Sequence, residues 1–108
     1  METLYVKRND TRRRELRVTQ GSSGTGRAVS LETANEVRFL MRGDPMVDVP
    51  VEILDPSAGL VGWDPEPAAV DTAGEFDAEV KVEWEDGSIT TAPEYGHLRV
   101  VVISDLGP

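Results

Sequence analysis

Residues 74–91 read GEFDAEVKVEWEDGSITT, and the alternation in this stretch decides the fold class. Phe76, Ala78, Val80, Val82 and Trp84 take every second position, with Glu75, Asp77, Glu79, Lys81, Glu83 and Glu85 between and after them. A period of two sends the first set to one face of a β-strand and the second set to the other. One face wants a core, and the other carries five acids and one lysine. Glu85-Asp86-Gly87 then has the composition of a hairpin turn, and residues 88–91 return from it.

The same period recurs along the chain. Leu4-Tyr5-Val6 reads as a short first strand closed by the turn pair Asn9-Asp10. Residues 15–19 (ELRVT) place Leu16 and Val18 on one side, Arg17 and Thr19 on the other. Residues 28–31 are a candidate edge strand, and residues 36–42 (EVRFLMR) put Val37, Phe39 and Met41 on one face. Residues 47–54 (VDVPVEIL) align Val47, Val49, Val51 and Ile53, while Pro50 predicts an edge position or a kink. Residues 55–59 (DPSAG) form a turn, residues 60–63 a short strand, and residues 64–72 a proline-broken acidic connection. After a loop over 92–96, residues 97–103 (HLRVVVI) make the final strand. No 3.6-residue apolar stripe is present, so helices are not expected. Seven or eight short strands with turns between them predict an all-β fold, a two-sheet antiparallel sandwich. A chain of 108 residues is expected to be one domain, 1–108. Trp63 and Trp84 both fall in strands and are expected to anchor the core.

The chain has no cysteine, which excludes disulfides and thiolate metal sites. The N-terminus METLYVKRND lacks an apolar stretch of signal-peptide length, and no uncharged run approaches a membrane span. The expectation is a soluble protein kept in a cytoplasm, or assembled there into something larger, with no membrane partner. The net charge of −9 argues against general binding to nucleic acid. The charge is also unevenly placed: residues 1–42 carry a net +4 and residues 43–108 a net −13. Two readings follow. Basic and acidic strands lie side by side and neutralise each other, or the molecule is polar and docks on copies of itself or on other subunits.

Chemistry is sparse. His97 is the one histidine and has no serine, threonine or carboxylate constellation around it, so the plain reading is a strand-end side chain. GSSGTG at 21–26 lacks the Lys-Ser/Thr and the helix of a phosphate loop and reads as a surface loop. Asp64, Glu66 and Asp71 share one connection, but their spacing matches no calcium loop, and neither a metal nor another cofactor is expected. Arg42-Gly43-Asp44 spells an integrin-type tripeptide in a place where these residues are ordinary turn formers. The best candidate contact surface is basic: Arg12, Arg13 and Arg14, with Arg8 and Arg17 nearby. Alternation points Arg13, Glu15, Arg17 and Thr19 the same way, so Glu15 interrupts the stripe. An acidic protein partner suits this better than DNA. The acid row supplies a complementary pair of candidates, Glu79 and Glu83.

The order of these pieces is also informative: YVKRNDT near the start, then EVRFLMR, the turn DPSAG with LVGW, the hairpin, and a closing LRVVVI strand. In this order the chain resembles the N-terminal immunoglobulin-like domain of phage baseplate upper proteins. The hairpin carries the most specific part of the likeness, through Asp71, Thr72, Gly74, Phe76, Ala78, Glu79, Val80, Val82, Trp84, Asp86, Gly87, Ile89, Thr91 and Pro93. The resemblance covers nearly the whole chain. It implies an Ig-like sandwich in a stand-alone small virion protein that has no catalytic residues and joins other phage structural proteins. The expected role is a non-enzymatic tail-tip or baseplate accessory component that self-associates in a symmetric assembly. Capsid decoration is the alternative within that class. A host-receptor or carbohydrate-binding module is the alternative outside it, with Tyr95 as its candidate, because five of the six aromatics lie in strands that need a core.

Overall fold

The computed structural model describes residues 3–20, 27–43, 46–93 and 97–104. The alternating stretch becomes the longest strand, β7 (Gly74–Trp84), and it organises one of two sheets. On one side it pairs antiparallel with β3 (Ala34–Met41), which joins Val82 to Val37 and Val80 to Phe39 in register. On its other side two strands follow one another: β9 (Leu98–Ile103) beside residues 74–78, and β8 (Ile89–Ala92) beside residues 80–83. The sheet ends at β4 (Val47–Pro50), next to β3, and at β1 (Thr3–Lys7), next to β9.

The second sheet has three strands in the order β2 (Arg14–Arg17), β6 (Leu60–Trp63), β5 (Glu52–Asp55), all antiparallel. Its inner residues Leu16, Val61 and Trp63 meet Val6, Phe39, Val80, Val82 and Val100 of the first sheet in one buried cluster. Trp63 stacks on Phe39 with ring centroids 4.2 Å apart and planes 26° from parallel, so an aromatic pair joins the sheets. The inner positions of β3, β7 and β9 are apolar because the facing sheet removes them from water, and each fully buried Val, Leu, Met or Phe among them contributes about 1.5–3 kcal/mol. The architecture is a two-sheet sandwich, as the alternation predicts, and it is compatible with the Ig-like kind that the resemblance implies.

Several local expectations are corrected. Nine strands form among the described residues, more than the seven or eight read from the turns. Residues 47–54 are not one strand: β4 ends at Pro50, Val51 donates its N–H to Val37 O at 2.9 Å, and β5 starts in the other sheet. Pro50 marks both the edge and the kink. Residues 28–31 form no strand, only a bridge from Ala28 to Thr19, yet Val29 and Leu31 are buried beneath it. Thr19 is buried at 7% exposure although alternation sends it outward, because β2 stops at Arg17 and the chain turns inward. The pairing of β1 with β9 is parallel, so the larger sheet is mixed. A short 3-10 turn, Pro67–Ala69, interrupts the 64–72 connection. The 21–26 loop, Asp44 of the RGD triplet and Tyr95 lie outside the described residues.

Candidate interaction surface

The outer face of the larger sheet is built by the polar half of β7. Glu75, Asp77, Glu79, Lys81 and Glu83 project from it, while Ala78, Val80 and Val82 between them are buried. Two arginines of neighbouring strands stand on this face, and only one of them reaches an acid of the row. Arg38 of β3 lies in register with Lys81 and reaches Glu36 at 2.6 Å and Asp48 at 2.7 Å. Both carboxylates raise its pKa, Asp48 more than Glu36. Arg99 of β9 stands 3.8 Å from Glu75. Asp77, Glu79 and Glu83 make no salt bridge to another described residue. Of the β7 acids only Glu75 is therefore paired with a cation of a neighbouring strand, and Asp77, Glu79 and Glu83 leave an unbalanced strip along β7.

The outer face of the smaller sheet holds the other candidates. Gly62 has no side chain, and the Arg13 chain crosses over it: an added Cβ there would lie 3.1 Å from Arg13 Cδ and 3.2 Å from Leu54 Cδ1. Beyond that gap the guanidinium donates two hydrogen bonds to the Asp64 carboxylate, Nε at 2.8 Å and Nη2 at 2.7 Å, and Nη1 pairs with Glu52 at 2.8 Å. This bidentate clamp pushes the Arg13 pKa further up and holds the Asp64 carboxyl below its ordinary value. Arg14 turns the other way and is nearly buried, with its guanidinium on the Asp10 carboxylate at 3.2 Å and the Arg12 carbonyl at 2.8 Å. Asp10 also accepts the Arg12 backbone N–H, and this bond, more than the Arg14 guanidinium, lowers its pKa. Arg12 and Arg17 are exposed and make no salt bridge to another described residue.

The basic and acidic candidates are thus not brought together in one molecule. Arg17 lies on the outer face of one sheet, and Glu79 and Glu83 lie on the outer face of the other. Arg13 serves its own chain, as side-by-side neutralisation of basic and acidic strands requires. The sequence reading missed the exposed apolar side chains: Tyr5 at 63%, Ile89 at 65%, Met46 at 58% and Ile103 at 42% exposure. Tyr5 is one of the five strand aromatics expected to serve the core, and its side chain is instead exposed. The signal was available, because Leu4, Tyr5 and Val6 are consecutive and a strand can bury only the outer two together. Trp84 is half-buried and donates its indole N–H to the Thr90 hydroxyl at 2.9 Å across the β7–β8 hairpin.

Concave surface is modest. His97, half-buried just ahead of β9, lines a shallow cleft with Leu40, Arg42, Met46, Asp77 and Glu79. A second cleft is lined by Val47, Val49, Trp63 and Ala69 together with Asp48 and Glu66. Among the described residues, no three His, Asp or Glu side chains converge as a metal site requires. No helix among them is long and apolar enough to cross a membrane.

No family model and no curated protein matches the chain. Among solved structures, it is similar to the N-terminal domain of phage TP901-1 ORF48. The TM-score is 0.63 at 13% sequence identity, over 94% of this chain and 84% of that one. At this identity the likeness is one of fold.

Proposed function

We propose that this chain is a non-enzymatic structural protein of a tailed-phage virion, an accessory component of the tail tip or baseplate that works through protein–protein contacts. The observation that carries the reading is the fold likeness to a domain of a phage protein over nearly the whole of both chains. The sequence pattern of residues 71–93 supports it from an independent direction. The surface chemistry is compatible: charged outer faces, shallow clefts and exposed apolar side chains at strand positions suit docking better than turnover. The proposed contact residues are Arg12 and Arg17 on one side and Glu79 and Glu83 on the other, which point outward without a salt bridge to a described residue. Their partners are other phage structural proteins or further copies of this chain.

Cryo-electron microscopy of purified particles, with this protein carrying a bulky tag, tests the assignment. Extra density at the tail end is expected. Density spread over the shell replaces the tail reading with capsid decoration. Absence of the protein from mature particles overturns the virion role altogether.

A further inference from the structure

The sandwich has several open sheet edges, and their protection is unequal. At β4, Pro50 offers no N–H, and the Arg38 guanidinium donates to the Asp48 backbone carbonyl at 3.2 Å. At β5 the register shifts between Ile53 and Asp55, and Glu52 is tied to Arg13. Beside β8, Ile89, Thr90 and Thr91 share a cleft with Thr19, Gln20 and Val29.

Among the described residues, the β1 edge carries none of these devices. Arg8 donates its N–H to Ile103 O at 2.7 Å, which fixes the hydrogen-bonding parity of the parallel pair. Leu4, Val6 and Arg8 turn their backbone groups toward β9, and Thr3, Tyr5 and Lys7 turn theirs away from the sheet. The Lys7 carbonyl is taken by the Asp10 N–H at 3.0 Å, so the free ladder ends there. Tyr5 stands at its centre with a side chain 63% exposed. Val101 is its partner on the outer face, and Ile103 is exposed opposite Lys7.

We propose that β1 is a self-pairing edge: two copies of this chain join antiparallel through residues 3–7, with Tyr5 against Tyr5 on a two-fold axis. Three observations select a second copy as the occupant. Tyr5 exchanges both of its outward backbone bonds with Tyr5 of an antiparallel copy, and the outward Lys7 N–H of each copy meets the Thr3 carbonyl of the other, as an isologous contact requires; the Thr3 N–H meets a Lys7 carbonyl that already accepts the Asp10 N–H and has one lone pair left. That register sets Thr3 opposite Lys7, so no like charges face each other, and each Lys7 lies diagonal to the other copy's Tyr5 ring, within reach of a cation–π contact. The two-fold axis stands perpendicular to the sheet, so the acidic outer faces lie side by side and are not pressed together. The result is one sheet continued across two molecules. The proposal does not depend on the virion assignment and is tested on the isolated protein.

Sedimentation of the full chain over a range of concentrations should show a monomer–dimer equilibrium. Because each copy carries a net charge of −9, added salt should strengthen it. This is opposite in sign to docking between the Arg12–Arg17 segment and the Glu79–Glu83 row. Tyr5→Pro removes an N–H that turns away from β9 and bonds no other described residue, and it should abolish the dimer while leaving the circular dichroism spectrum in place. Tyr5→Asp is the second variant should the proline perturb folding. Tyr5→Cys places a unique thiol at a cross-strand pair of Cα separation about 5.5 Å, within disulfide reach. It should oxidise to a covalent dimer, and Glu83→Cys should not. A chain that stays monomeric at every concentration and salt, or a dimer unchanged by both Tyr5→Pro and Tyr5→Asp, overturns the proposal.

Discussion

At the scale of single residues, two glycines do different work. Gly59 closes the turn between β5 and β6 at φ +67°, where its carbonyl accepts the Val18 N–H at 2.8 Å. A Cβ there would stand 2.5 Å from the Val29 carbonyl oxygen and 3.0 Å from that of Val18. Both obstacles are backbone, so neither can swing aside. Gly59→Ala is expected to destabilise by about 3 kcal/mol, from left-handed strain plus overlap. Gly87, at φ +87° in the hairpin turn, has open space around it, and Gly87→Ala should cost only about 1 kcal/mol. Urea denaturation of the two variants measures the difference; equal losses would mean that strain alone matters. Asp64 gives a pH prediction. Its carboxyl is held below its ordinary value, chiefly by the hydrogen bond from Arg13. Its contribution is therefore present above the unfolded pKa and is lost as pH falls through the lower folded one. Thermal melting of Asp64→Asn should show a shallower loss of stability than the parent below about pH 4. The effect is small because both partners are exposed to solvent.

At the scale of elements, the strands differ in how they are held. β7 is paired along both edges, whereas β8 is paired on one side only and spans four residues. Its turn is pinned by Asp86, which accepts the Ser88 hydroxyl at 2.6 Å and the Ser88 N–H at 2.9 Å. Amide exchange should be faster at Thr90 and Ala92, whose N–H groups belong to the β7–β8 ladder, than at Glu79 and Lys81, whose N–H groups turn to β3. Asp86→Ala should widen that gap without moving β3 or β9, and a uniform change across the sheet would contradict it. The elements also show what could be read beforehand. β3 and β7 were legible because one face of each is fully buried, and burial imposes a strict alternation. The split at Val51 was half legible: Pro50 announces a break, but Val47, Val49, Val51 and Ile53 keep their period across it because both sheets face the same core. The parallel pairing of β1 with β9 was not legible, since neither strand names its distant partner. For the contact residues, the basic and acidic rows were readable, but not that Arg13 spends its charge on Glu52 and Asp64. Glu52 lies in β5 and Asp64 just past β6, and both are neighbours of Arg13 only in space.

At the scale of the molecule, the net charge of −9 and the two outer faces set how copies meet other bodies. Reversing Glu79 and Glu83 to lysine should weaken any assembly that docks a basic surface on β7, and raising the salt on the parent should do the same. Co-sedimentation with purified particles lacking the protein would register both effects, and binding indifferent to each would remove the acidic row from the interface. The parent's own stability should hardly respond to the two substitutions, because both side chains lie on a solvated face. The sandwich is 47 Å long and 23 by 22 Å across. Its first and last strands run in the same direction side by side, Thr3 beside Arg99 through Lys7 beside Ile103. Tension applied between the start of β1 and the end of β9 therefore pulls the two strands past each other. Every bond of that ladder is strained at once, whereas an antiparallel pair held at one end would open bond by bond. The parallel seam makes the protein a mechanical clamp along its strands, resistant to stretching and weaker against peeling from the side.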